Sequence, residues 1–67
     1  MAKKKNTPIE LPFVVVEYND GIVSAAHCFD INETDERVTI VECFDDLEEA
    51  KIYAQEHAKL NDLNYKF

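Results

Sequence analysis

The sequence predicts an α+β fold: a three-stranded antiparallel sheet, a β-β-β meander, followed by one C-terminal helix packed on one face. Three observations carry this expectation. Two runs rich in β-branched and aromatic residues flank Asn19-Asp20-Gly21, the strongest turn signal in the chain. A third such run, centred on Val38-Thr39-Ile40-Val41, follows a polar stretch. Beyond Phe44 the apolar spacing changes from a period of two to the period of a helix.

Residues 1–10 read as a flexible basic tail carrying Lys3, Lys4 and Lys5, and residues 11–67 as a single β-β-β-α domain. Phe13-Val14-Val15-Val16-Glu17-Tyr18 has the composition of a strand. The turn at Asn19–Gly21 sets Tyr18 opposite Ile22, and a second strand extends to Phe29. Asp30 to Glu36 is a polar connection, and Arg37 to Phe44 a third strand that pairs with the second. Asp45, with Glu48 three residues later, is the expected helix N-cap. Asp46, Glu48 and Glu49 then place negative charge where the helix dipole favours it. The helix runs to about Leu60, with Ala50, Ala54 and Ala58 as a small-residue ridge along its apolar side. Leu63 to Phe67 alternates apolar and polar, as a short strand or a strap on the domain.

The charge is uneven. The chain of 67 residues has a net charge of −7. Outside Lys3–Lys5, four cations face 14 acids. Nine of the acids lie between Asp30 and Glu49, where Arg37 is the only cation. Such a surface repels phosphate backbones, so direct nucleic-acid binding is not expected. No apolar run approaches the ~20 residues that span a bilayer. The first residues are charged with no apolar segment behind them, so no signal peptide and a cytoplasmic location are expected.

In this meander one sheet face carries Val14, Val16, Tyr18, Ile22, Ala26, Cys28, Val38, Ile40 and Phe44. The other carries Phe13, Val15, Val23, Ala25, Phe29, Val41 and Cys43. Both are apolar, whereas a solvated antiparallel sheet alternates. One helix covers one face only. The second set is therefore the expected self-association face of a homodimer, unless the C-terminal strap covers it.

No constellation of residues points to catalysis. With Phe29 opposite Arg37, Cys43 pairs near Val23, about 16 Å along the sheet from Cys28 at ~3.3 Å per residue. A disulfide needs Cα atoms within about 7 Å, so both cysteines read as small buried hydrophobes. His27, Cys28, Cys43 and His57 match a zinc ligand count but not zinc spacing. Asp30, Asn32, Thr34 and Glu36 echo a calcium loop, yet Asp35 stands where that loop needs glycine. Ser24 and Cys28 have no adjacent base, and one glycine cannot build a phosphate loop. No cofactor or metal is expected.

These readings describe a small acidic protein-binding module that is not an enzyme and acts by occupying a partner protein's surface. An inhibitor or accessory protein of a bacterium or phage fits that description. The predicted contact set is Asp30, Glu33, Asp35, Glu36, Asp45, Asp46, Glu48 and Glu49, facing a basic surface. In the meander, the Asp30–Glu36 and Asp45–Glu49 groups fall at opposite ends of the sheet. The alternatives are a structural homo-oligomeric subunit and an acidic nucleic-acid mimic that blocks a basic site.

Overall fold

A computed structural model describes residues 10–32 and 34–66. The tail with Lys3–Lys5, Glu33 and Phe67 lie outside the described residues. The elements are β1 (Phe13–Tyr18), β2 (Ile22–His27), a 3-10 turn (Cys28–Asp30), β3 (Val38–Phe44), α1 (Leu47–Leu60) and β4 (Asn64–Tyr65). The fold is α+β, with one helix and a four-stranded mixed sheet. No helix among the described residues is long and apolar enough to cross a membrane.

The strand order is β3-β1-β2-β4, so the sheet is not a meander. β1 lies in the middle, antiparallel to β2 on one side and to β3 on the other. Its sequence explains why. Val14, Val15 and Val16 are all fully buried. A run that is apolar on both faces belongs inside a sheet covered on both sides. The local hairpin keeps its expected register, from Phe13 opposite His27 to Glu17 opposite Val23. Gly21 closes it at φ +92°, in the left-handed region, and its N–H donates to the Tyr18 carbonyl at 3.0 Å.

Because β2 and β3 both run against β1, they are parallel to each other. The connection between them must cross β1 and travel the length of the sheet. On the way Cys28 and Ile31 pack against Val14, Val16, Val38 and Ile40. The face that carries Val14, Val16 and Ile40, opposite the helix, therefore has a cover from within the chain.

The helix lies on the other face. Ala50, Ala54 and Ala58 pack on Val15, Val23 and Ala25, with Phe13, Val41, Phe44, Leu63 and Tyr65 at the margin. Most of the expected self-association face is thus the floor beneath α1. Two of its members go elsewhere. Phe29 is 89% exposed on the 3-10 turn, beyond the end of β2. Cys43 lies with Val14 and Val16 on the opposite face. A bulge is the cause: Val15 pairs with Glu42 but Val16 pairs with Ile40, leaving Val41 as the extra residue. The bulge reverses the alternation for Cys43 and Phe44, so Phe44 joins the helix side.

Asp46, not Asp45, caps the helix, and its Oδ2 accepts from the Glu49 N–H at 3.2 Å. Both aspartates have a glutamate three residues on. β3 runs through Phe44, which pairs with Phe13, and the alanine ridge packs on the sheet. At the other end the Leu63 N–H donates to the Ala58 carbonyl at 2.7 Å and the Asp62 N–H to the Lys59 carbonyl at 3.4 Å. That is a Schellman cap with Asp62 at φ +56° where glycine is usual. It turns the chain back into β4, a two-residue strand parallel to β2.

Candidate functional site

The strand order decides where the acids meet. His27, the last residue of β2, and Phe44, the last of β3, both pair with Phe13. Asp30 therefore leaves the sheet at the same end as Asp45, Asp46, Glu48 and Glu49, not at the opposite end as the meander implies. All five are exposed. Asp35 and Glu36 sit at the far end, where the Asn19 N–H donates to the Arg37 carbonyl at 3.0 Å. The predicted contact set is divided: five of its acids share one end, two do not, and Glu33 is outside the described residues.

Asp35 already has a partner. Arg37 Nε and Nη2 reach its two carboxylate oxygens at 3.2 and 3.1 Å, and the Arg37 N–H donates to it at 3.0 Å. These hydrogen bonds, side chain first, hold the Asp35 carboxyl below the usual aspartate range. Asn32 Oδ1 is likewise engaged, by the Thr34 N–H and hydroxyl. Two of the four oxygens of the calcium-like loop, those of Asn32 and Thr34, thus serve to fold the loop.

At the shared acidic end a groove of about 510 Å³ opens between the edge of β2 and the start of α1. Phe13, Ala25, His27, Asp30 and Leu47 line it together with Ser24 and Ala26. The His27 ring meets Phe13 edge-on at 5.3 Å and Phe29 at 4.8 Å. The 3-10 turn that presents Phe29 is fixed by three bonds. The Phe29 N–H donates to His27 Nδ1 at 3.3 Å, the Cys28 N–H to the Pro12 carbonyl at 2.8 Å, and the Ile31 N–H to the Cys28 carbonyl at 3.3 Å. An exposed aromatic ring therefore stands beside an apolar groove rimmed by carboxylates.

On the outer side of α1, Tyr53, Glu56, His57 and Leu60 frame a smaller hollow of about 170 Å³. His57 Nε2 donates to Glu17 Oε1 at 3.0 Å, while Asn61 Nδ2 approaches His57 Nδ1 at 3.4 Å. Both histidine nitrogens are thus taken up: Nε2 ties the helix to the sheet, and Nδ1 faces the helix's own C-cap residue. Ser24 Oγ donates to the Ala25 carbonyl at 3.4 Å. Cys28 and Cys43 form no disulfide, and no three His, Cys, Asp or Glu side chains converge on a metal-sized site among the described residues.

The sequence singles out His27 only for the zinc count and Leu47 not at all, and it does not signal their meeting in a groove or the exposure of Phe29. Their shared location depends on β2 and β3 ending together, a long-range fact. No protein-family model, no curated protein and no solved structure matches this chain, so the site is read from its own chemistry.

Proposed function

We propose that this protein is a small acidic protein-binding module that acts by occupying a partner's surface, as an inhibitor or accessory protein does. The observation that supports this most is the grouping of Asp30, Asp45, Asp46, Glu48 and Glu49 at one end of the sheet, beside an exposed Phe29. Aromatic anchors within an interface supply affinity, and surrounding charge steers encounter and fixes the choice of partner. The complementary surface is basic. A site that otherwise accepts phosphates is one such surface, and the grouping of acids from two separate connections favours this sharper version.

The test is affinity capture from lysate with wild-type protein and with the triple variant Asp30→Lys, Asp45→Lys, Glu48→Lys. The three positions are exposed, so the variant should fold. A partner retained by the wild type and lost by the variant supports the reading. Equal capture by both proteins removes it.

A further inference from the structure

We infer that the open edge of β2 is a docking site for an extended, lysine- or arginine-bearing segment of another protein, which adds to the sheet as an antiparallel strand. This rests on the protein-binding reading above and names the form the partner takes.

The backbone gives the first reason. The Cys28 N–H reaches the Pro12 carbonyl, so alternation turns Ala26, Ser24 and Ile22 toward β1, and Val23, Ala25 and His27 away from it. β4 uses the outward groups only as far as Val23, whose carbonyl takes the Lys66 N–H at 2.8 Å. β4 bridges β2 only at Ile22 and Val23, so the N–H groups of Ala25 and His27 have no ladder partner on that side among the described residues, although Ala25 itself is only 3% exposed. His27 is extended, at φ −73° and ψ 141°, as a pairing residue must be. An added antiparallel strand would meet these two N–H donors; the Ala25 carbonyl already accepts the Ser24 hydroxyl at 3.4 Å and the His27 carbonyl heads the 3-10 turn, so each oxygen would be shared.

The groove gives the second. Outward-facing Ala25 and His27 have their side chains on the helix side, where Phe13 and Leu47 complete an apolar lining. An added strand would place alternate side chains there, which is how strand-adding sites select sequence. Charge gives the third. Asp30 lines the groove, Asp45, Asp46 and Glu48 flank Leu47, and all four are exposed. The segment that complements an apolar floor with an acidic rim alternates apolar and cationic residues. A second copy of this acidic chain fits that rim poorly.

The probe is the peptide acetyl-Lys-Val-Lys-Phe-Lys-Val-Lys-amide, titrated into full-length, 15N-labelled protein and followed by amide shifts and hydrogen exchange. Before peptide is added, Ser24 and Ala26 amides should exchange slowly and those of Ala25 and His27 quickly. With peptide, shifts should concentrate on Ala25, His27 and Leu47, and the two fast amides should become slow. The same peptide N-methylated at its three apolar residues keeps its charge but loses the donors that face β2. It should bind at least tenfold more weakly.

Four outcomes overturn the proposal. One is equal binding of both peptides, or shifts spread over all the acids, which marks unspecific charge attraction. The second is the absence of any shift. The third is slow Ala25 and His27 exchange in the peptide-free monomer, which means that the edge is already filled by the chain itself. The fourth is a concentration-dependent slowing without peptide, which means that it is filled by a second copy. If the peptide fails while capture from lysate still depends on Asp30, Asp45 and Glu48, the strand-adding site is wrong and the protein-binding reading stands.

Discussion

Glu17 and His57 meet at 3.0 Å across 40 positions of sequence, joining the central strand to the last turn of the helix. Their side chains are only 22% and 19% exposed, so water competes weakly for the bond. A double-mutant cycle with Glu17→Ala and His57→Ala should therefore give a coupling of about 1 kcal/mol in urea unfolding. Additive effects would show that α1 is held by its alanine ridge alone.

Asp62 adopts φ +56°, and its carboxylate sits at the helix end where the dipole disfavours negative charge. Asp62→Gly removes both penalties and should stabilise the protein by about 1 kcal/mol. For a domain of this size that raises the melting temperature by roughly 4–8 °C. A lower melting temperature would mean that the Asp62 side chain contributes a favourable contact.

Ala54 is fully buried between α1 and the sheet. Ala54→Leu should overpack this contact and cost about 1–3 kcal/mol, read as a lower urea midpoint. A neutral result would show that the helix can lift off the sheet without loss.

Arg37 holds the Asp35 carboxyl below its usual range of about 3.9. The sign follows from linkage: a depressed folded value adds stability above the unfolded value, lost as pH falls through the folded one. In Arg37→Ala the Asp35 titration midpoint, followed by carboxyl carbon shifts, should move up, and part of the acid sensitivity of unfolding should vanish. An unmoved midpoint would assign the depression to the loop backbone.

Phe29 touches only the His27 ring among the described aromatic contacts and is otherwise in water. Phe29→Ala should change stability by less than about 0.5 kcal/mol. If Phe29 is an interface anchor, the same variant should weaken partner capture at least tenfold. Loss of stability without loss of capture would make the ring structural.

The hairpin was legible because it is local. Asn19-Asp20-Gly21 fixes the turn, and the turn fixes which of Val14, Val15 and Val16 face each way. The position of β3 was not legible from alternation, because a strand with apolar residues on both faces satisfies either neighbour. The signal that distinguishes the two is the unbroken Val14-Val15-Val16 run itself, the mark of a central strand. The bulge at Val41 had no such signal, and it moved Cys43 and Phe44 to the other faces. The acidic set was readable as residues but not as a site, since the grouping of Asp30 with Asp45 follows from β3 lying across β1.

The crossing of β1 also constrains how the chain reaches its native state. The β1–β2 hairpin closes through a turn of three residues and can form within microseconds. β3 must then find the far side of that hairpin, and β4 has nothing to join until β2 is in place. The early hairpin is thus the template for every later step. Gly21→Ala should slow folding, since a Cβ there meets only Leu63 at 3.9 Å and its cost is the left-handed backbone itself. A change confined to β4 should leave the folding rate alone and show itself as faster unfolding. The seam that opens first would then be the sheet edge beside the acidic groove, which makes the least stable border of the domain the one nearest its proposed partner.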